Sequence, residues 1–587
     1  MSSRTFTALA VAFMVSLAMA FSAGAQDIPP TPTPDPVANY SAVTDERLAN
    51  PEPHNWLQIR GNYEGWMHSP LDQINTGNVA NLQPAWLFST GVVEGHQAPP
   101  VVNDGVMFVT TPSNQVIALD AATGAEIWRY RREKPEDLVE IHPTNRGPGL
   151  YGDQLFVATT DCFLVALDAK SGEVNWEVAV DDYQKGYYMT LAPLTAQGKV
   201  LVGVSGGEFG IRGYVAAYNV EDGTQAWRSY TVPAPGEPGH ETWTAESWQT
   251  GGGSTWVTGI FDAETGIVYW GVGNGAPWAG DRRGSLDNLY TTSVIALNLE
   301  SGQIVGHHQY HWNDSWDWDE VSPPILTDLT YGGRTFKALV NVARNGHIFV
   351  LEPSPEGPIG FVDAWTYVYN DVVTAIDPET GRFTYDDAHW PKTNVSAPFC
   401  PSLWGGKDWP YVSYSPGTGL LYIPANENIC STMAGDESQY VAGELWLGVN
   451  IPDLVEGFYL RDGWEHIGEI QAWDVGNKNE VWKHTFKHHN WGPILSTGGG
   501  LLFAGGTNDR MFRAFDAATG AVLWEFPTNS GIGAPPSTYS LNGNQYVAVA
   551  SGWGVDAERK QDILRREIPG YAEHVPQGGV VWVFELP

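Results

Sequence analysis

Ala118-Leu119-Asp120-Ala121-Ala122-Thr123-Gly124, followed by Trp128, decides the fold, because its pattern returns along the whole chain. Apolar residues alternate into a turn, an Asp and a Thr stand where their side chains can bond the turn backbone, Gly supplies a positive φ, and a Trp follows on the return strand. Ala166-Leu167-Asp168 with Gly172 and Trp176 is a second clear copy, and Ala514-Phe515-Asp516 with Thr519-Gly520 and Trp524 is a third. Weaker copies lie at 217–227, 296–302, 375–381 and 472–482, which makes seven. One such hairpin is ordinary, but seven in register identify a repeat architecture. The chain reads as all-β, an eight-bladed β-propeller in which each Trp docks on a neighbouring blade. The last strand, Val580-Val581-Trp582-Val583-Phe584, is expected to close the eighth blade against strands near Trp56-Leu57-Gln58-Ile59 and so hide the sheet edges.

Composition agrees, since 66 Gly, 40 Pro and 26 Trp suit many hairpins with aromatic anchors. Residues 1–25 read as a signal peptide: Arg4 is the only charge, residues 8–21 are apolar, and Ala23-Gly24-Ala25 has the small-x-small form of a cleavage site. Those 14 apolar residues fall short of the ~20 that span a bilayer, and no second run follows, so no membrane span is expected. A periplasmic location follows from the leader. Residues 26–50 read as a Pro-rich extended arm and 51–587 as the propeller. The formal charge of −36, which becomes −37 once Arg4 leaves, excludes nucleic acid or an anionic membrane as a natural partner and favours a basic protein. Three cysteines (Cys162, Cys400, Cys430) allow one bridge at most, and no Cys-x-x-Cys-His attaches a haem.

Three segments place oxygen-bearing side chains among glycines or aromatics: Ser205-Gly206-Gly207-Glu208, Gly271-Val272-Gly273-Asn274 with Pro277-Trp278, and Trp316-Asp317-Trp318-Asp319. Carboxylates and an amide are hard ligands that suit Ca²⁺ or another oxygen-seeking ion. Turn-forming Asx residues and a solvated Glu are the plain alternative.

The tryptophan repeat resembles the PQQ-dependent alcohol and methanol dehydrogenase family, where PQQ is pyrroloquinoline quinone. The resemblance runs from about Trp56 to Gly554, through Leu71-Asp72-Gln73-Ile74-Asn75, Asn78-Val79 with Leu82, Asp287-Asn288-Leu289-Tyr290 and Leu420-Leu421-Tyr422-Ile423-Pro424-Ala425. It implies that Glu208, Asn274 and Asp317 surround a metal ion, and that Asp317 is the general base for hydride transfer from an alcohol to the metal-polarised quinone. It also implies that Arg344, in Ala343-Arg344-Asn345-Gly346, is a fixed cation beside the quinone oxygens. An Asp at the position of Asp319 marks the family's lanthanide-using branch, and an added carboxylate favours a trivalent ion, so a lanthanide is expected ahead of Ca²⁺.

For the cofactor, the resemblance implies that Trp256, after Gly251-Gly252-Gly253-Ser254-Thr255, stacks on the ring while Ser254 bonds its edge. Arg146 matches a carboxylate clamp. Thr190, Ser205, Gly206 and Gly207 match further contacts, and Trp409, Trp491 and Trp553 match aromatics. Three positions depart from the methanol dehydrogenase pattern: an adjacent cysteine pair is replaced by Glu140 and Ile141, Gln97 stands where Glu is usual, and Asp408 where Asn is usual. The cofactor's second face is then expected under Ile141, His142 or Pro143. Cys400 and Cys430 match a family disulfide, which leaves Cys162 free and buried. The altered pocket favours a primary or secondary alcohol bulkier than methanol, with mycotoxin-oxidising members of the family as one likeness, and a soluble cytochrome c as the electron acceptor. A non-catalytic eight-bladed envelope scaffold and a six-bladed PQQ sugar dehydrogenase are the competing readings. A scaffold needs the blades but not the site residues together, and the sugar enzyme fits neither the seven repeats nor Trp316-Asp317-Trp318-Asp319.

Overall fold

A computed structural model describes residues 36–567 and 574–587. The signal peptide expected at 1–25 and the start of the Pro-rich arm lie outside the described residues. The chain forms eight antiparallel sheets of four successive strands, one of which gains a fifth, parallel strand, His68–Ser69. The first sheet is Val101–Asn103, Val106–Thr111, Gln115–Asp120 and Glu126–Arg131, and the next six span 149–179, 194–230, 260–309, 325–366, 413–486 and 494–527. The eighth is made from both chain ends: Ser537–Leu541, Asn544–Ser551, Val580–Glu585 and, outermost, Gln83–Ser89.

That last pairing corrects one expectation. The N-terminal partner of the closing strand is Gln83–Ser89, with Trp86 opposite Val583, whereas Trp56 bridges Val102 of the first sheet. The reason lies in the docking rule, because Trp86 stands where five other outer strands carry their docked Trp.

The turn chemistry follows the sequence reading. Asp120 Oδ1 accepts the N–H groups of Ala122 and Thr123, and Gly124 N donates to the Asp120 carbonyl at 2.8 Å with φ at +74°. A Cβ on Gly124 would lie 2.5 Å from the Trp86 ring, so glycine here serves both the turn and the docking. Each docked indole also donates its N–H to a carbonyl of the next sheet: Trp86 to Ala121, Trp128 to Ala169, Trp176 to Val220, Trp227 to Leu299, Trp482 to Ala517 and Trp524 to Leu82. The two other junctions use different packing. Val305 lies where a Cβ on Gly357 would fall, and Trp365 tilts against Trp473 at 6.4 Å.

The copy at 375–381 makes the same turn, with Asp377 Oδ1 accepting from Glu379 and Thr380, yet belongs to no four-stranded sheet. Val373–Ile376 and Phe383–Tyr385 pair only with each other, a two-stranded hairpin between the fifth and sixth sheets. The extended arm expected over 26–50 gives way at Pro36. Beyond the proline run, Thr44 caps a short helix α1 (Asp45–Ala49), Val43 pairs with Gly152, and Tyr40, Val43 and Leu48 are buried, because this stretch has the apolar side chains the proline run lacks. A four-residue helix α2 (Asp453–Glu456) and α3 (Val555–Glu567) interrupt the strands, and no helix among the described residues is long and apolar enough to cross a membrane.

Trp128 is 8% exposed and locks the first sheet to the second. Trp128→Ala should destabilise the protein by about 3–5 kcal/mol, as truncating a buried aromatic does. Trp128→Phe should lose less, since only the N–H bond and part of the ring go. Denaturant unfolding of both variants measures the difference.

Candidate functional site

In a four-stranded antiparallel sheet the entrance to the first strand and the exit from the second lie at the same end, and here the first strands of several neighbouring sheets adjoin. The predicted site residues occupy those two places. Gln97, Arg146, Thr190, Ser254, Trp256, Asp317, Asp319, Asp408, Trp409 and Trp491 come within eight residues before a first strand, and Ser205, Gly206, Gly207, Glu208, Asn274, Arg344 and Trp553 within five residues after a second. Loops of all eight sheets thus contribute at one end.

The centre is a knot of carboxylates around one guanidinium. Asn274 Nδ2 donates to Asp317 Oδ1 at 2.8 Å, and the Asn274 backbone N–H donates to Asp319 Oδ1 at 2.7 Å. Arg344 stands 3.4 Å from Asp317 Oδ2, 3.7 Å from Asp319 Oδ2 and 3.5 Å from Asp408 Oδ1. Burial raises Asp317 well above the usual carboxylate range, with Arg344 opposing and the charges of Asp319, Glu208 and Asp314 adding. Burial likewise pushes Asp319 up to about 7, again against Arg344 and with Glu208 adding. Asp408 is held low despite its burial, by Arg344 and Lys560.

The loop bearing Asp317 is held by residues the sequence reading passed over. Asp317 sits at φ +64°, a conformation L side chains rarely adopt, and the buried Asp314 carboxylate accepts the N–H groups of Asp317 and Trp318 at 3.2 Å each. His311 braces Asp314 at 3.0 Å and Glu320 at 3.5 Å, while Glu320 accepts the N–H groups of Arg344 and Asn345. Two acids among four tryptophan and histidine neighbours in 311–320 were the available signal. Trp316 and Trp318 stack at 5.0 Å, and Trp318 donates to the Ser402 carbonyl. Ser402 and Leu403, whose carbonyl accepts from Arg344, follow Cys400, which is bonded to Cys430. The disulfide implied by the resemblance therefore anchors the segment that aims Arg344. Cys162 is free and buried, as expected.

Around this knot lies an aromatic and polar wall. Arg146 is placed between two indoles, 4.6 Å over Trp256 and 4.9 Å over Trp409, and its Nη1 donates to Thr190 Oγ1 at 2.6 Å, which meets Ser205 Oγ at 3.1 Å. Trp256 Nε1 donates to Asp319 Oδ2 at 3.0 Å, so the stacking residue and the added carboxylate are one unit although they lie on different segments. A Cβ on Gly273 would collide with Asp319 Oδ1, and one on Gly207 would come 3.2 Å from Ser254 Oγ. The triple glycine reads differently in the structure. Cβ atoms on Gly251, Gly252 and Gly253 would meet Trp243, Ala276 and Thr231, so these glycines admit protein rather than ligand. Glu208 is tied through its carbonyl to Trp446, and Trp553 donates to Gln561 of α3.

Two observations bear on what this end holds. Among the described residues no three His, Cys, Asp or Glu side chains meet closely enough to hold a metal by themselves, because Asn274, Trp256 and Arg344 now satisfy the oxygens. Yet Asp317, Asp319 and Asp408 share the Arg344 guanidinium, only Asp408 has Lys560 as well, and the charge of Glu208 acts on Asp317 and Asp319, an excess of negative charge that a multivalent ion with oxygen preference would balance. Four buried polar atoms, Gln97 Oε1, Arg146 Nε, Trp409 Nε1 and Trp491 Nε1, also lack a hydrogen-bond partner among the described residues. Three of the four, Arg146 Nε, Trp409 Nε1 and Trp491 Nε1, are donors, and orphaned donors at an aromatic wall fit a flat, polyanionic group.

Sheets of four strands that gather acids, two arginines and tryptophans at one end fit a propeller enzyme of the quinoprotein class. A family profile described as "PQQ: Glucose/ethanol/alcohol dehydrogenase, beta-propeller domain" matches residues 56–362 and 463–547. The quinoprotein alcohol dehydrogenase PedH of Pseudomonas putida is 36% identical, with 94% of each chain covered. The quinoprotein ethanol dehydrogenase of Pseudomonas aeruginosa is 33% identical over 98% of this chain and 96% of the relative. A europium-containing methanol dehydrogenase superposes with a TM-score of 0.86 at 32% identity, covering 92% of this chain and 100% of that one. The chain belongs to this family and is a PQQ-dependent alcohol dehydrogenase.

The raised Asp319 sets a pH dependence. Its folded value of about 7 exceeds the unfolded carboxylate value of about 3.9, so the folded state holds the proton more tightly. Its contribution to stability is present below about pH 4 and lost as pH rises towards 7. Thermal unfolding of metal-free protein should therefore show a decline over that window that is shallower in Asp319→Asn.

Proposed function

We propose that the protein is a periplasmic eight-bladed quinoprotein that oxidises a primary or secondary alcohol bulkier than methanol with PQQ and one lanthanide ion. The eight sheets, and the docking tryptophans that join the seventh to the eighth and the eighth to the first, support closure into a ring. Glu208, Asn274, Asp317 and Asp319 are the residues that would hold the ion, with Ca²⁺ as the competing occupant. Arg146, Thr190, Ser205, Ser254, Trp256, Trp409 and Arg344 would hold the cofactor, with Gln97, Gly206, Gly207, Asp408, Trp491 and Trp553 completing its surroundings.

When bound, PQQ accepts the hydride and the metal ion polarises the carbonyl that receives it. Asp317 takes the proton from the substrate hydroxyl. Its Oδ1 is steadied by Asn274 and its Oδ2 faces Arg344, so the carboxylate is fixed in direction and the guanidinium opposes the rise that burial causes. The carboxylate of Asp319 carries the lanthanide reading. It is 6% exposed and set between Asn274 and Trp256, which is no place for a surface turn residue. For the acceptor, a chain of charge −36 suits a basic soluble cytochrome c, with rates that fall as salt screens the attraction.

Reconstitution of apo-protein with PQQ and either La³⁺ or Ca²⁺, assayed by alcohol-dependent dye reduction over a series of alcohols, tests the reading. La³⁺ should give the higher activity, and Asp319→Asn should move the preference towards Ca²⁺ while keeping an oxygen for the Trp256 N–H. Higher activity of the native protein with Ca²⁺ would overturn the lanthanide assignment. Asp317→Asn should keep metal and PQQ yet lose about 10²–10⁴-fold in turnover, the usual share of a general base. Near-normal turnover in that variant would remove Asp317 from the chemistry.

A further inference from the structure

Helix α3 (Val555–Glu567) is the one long helix among the described residues, and it carries a cation into the buried end of the sheets. Its inward face is formed by Ala557, Lys560, Gln561 and Leu564, which are all buried. Lys560 is 4% exposed, 3.2 Å from Asp408 Oδ2 and 3.1 Å above the Trp491 ring. Such a burial is costly for an ammonium unless it is paired, and its two acids are both shared: Asp408 with Arg344, and Asp556, one turn earlier on α3 and acting through its charge, with His142. An ammonium has three N–H groups, and Asp408 accepts one of them. The remaining capacity points towards the same wall where Trp409 Nε1 and Trp491 Nε1 lack hydrogen-bond partners among the described residues.

We propose that Lys560 is a second cationic contact of the cofactor, held beside Arg344 by Asp408 and Trp491, and that α3 is thereby part of the cofactor pocket. The anionic rim of PQQ, its carboxylate or quinone oxygens, is the ligand chemistry. This inference rests on the PQQ reading above. The rival role is purely structural, in which Lys560 only neutralises Asp408.

The two roles separate in a double variant. PQQ is titrated into metal-loaded apo-protein and followed by quenching of tryptophan fluorescence, and the melting of each apo-protein is measured alongside. Lys560→Met should melt lower, because Asp408 loses a partner, and should bind PQQ about tenfold more weakly or worse, the scale of a charge-assisted hydrogen bond. Lys560→Arg should bind close to the native protein. Asp408→Asn combined with Lys560→Met removes both charges, so its melting should recover while PQQ affinity stays low. Recovery of PQQ affinity to within about twofold of native in that double variant would show Lys560 to be a counterion alone and overturn the proposal. Native protein that binds no PQQ with metal present would overturn the PQQ reading itself, and this inference with it.

Discussion

Buried negative charge is the constraint on which the rest of this structure depends. Asp317, Asp319 and Asp408 lie within 3.7 Å of a single guanidinium, that of Arg344, and Glu208 adds its charge nearby. A cluster of this kind is tolerated in a fold only where surrounding groups hold each oxygen in place and a cation is available, since unpaired buried carboxylates protonate or disrupt packing. Here the holding groups are backbone N–H groups, an amide and an indole, and the raised values of Asp317 and Asp319 are the residual tension. A multivalent ion would resolve it, so the same electrostatics that strain the protein support the metal site proposed above.

Rigid sheets are what make such a cluster affordable. The acids arrive on three loops, one with Glu208, one with both Asp317 and Asp319, and one with Asp408, each set between strands of sheets that are locked to their neighbours, at six junctions through a docked Trp. The turn Asp120-to-Gly124 and the carboxylate knot are far apart in kind yet linked by this logic, because a slip at one docking tryptophan shifts the loops entering the adjoining sheet. The strained φ of Asp317 is maintained in the same way, by Asp314 and His311 beneath it.

Much of this was legible in the sequence, and the failures have physical causes. The hairpin code was readable because Asp, Thr, Gly and Trp each have one job in it, whereas the central carboxylates read by spacing as ordinary turn residues and were singled out only by the family resemblance. The same code misled at 375–381, since a turn motif specifies a hairpin and says nothing about how many strands flank it. Trp86 was missed because its half of the repeat is separated from the rest by almost the entire chain, and residues 56–59 offered apolar alternation of equal strength. Asp314 and Glu320 were passed over because a supporting acid looks like any other until its backbone partners are seen. The triple glycine at 251–253 signals a close approach, but sequence cannot tell whether protein or ligand approaches.

The three departures from the methanol dehydrogenase pattern converge on one element. Where the adjacent cysteines are missing, His142 pairs with Asp556 at 2.9 Å and the Ile141 carbonyl accepts from Arg559, both on α3. Where Asn gives way to Asp408, Lys560 of α3 supplies the charge. Where Gln97 replaces Glu, its loop passes directly against the lead-in to the same helix, with the backbones of Gly95 and Gly554 so close that a Cβ on Gly95 would lie 3.0 Å from the Gly554 carbonyl carbon. Their meeting at α3 makes one wall of the three positions: Asp556 and Arg559 fasten the 141–142 segment, and Lys560 stands opposite Asp408. The fastening is ionic and hydrogen-bonded, so this segment is held in place without being bonded shut, and salt that screens exposed charges acts least on pairs as buried as these.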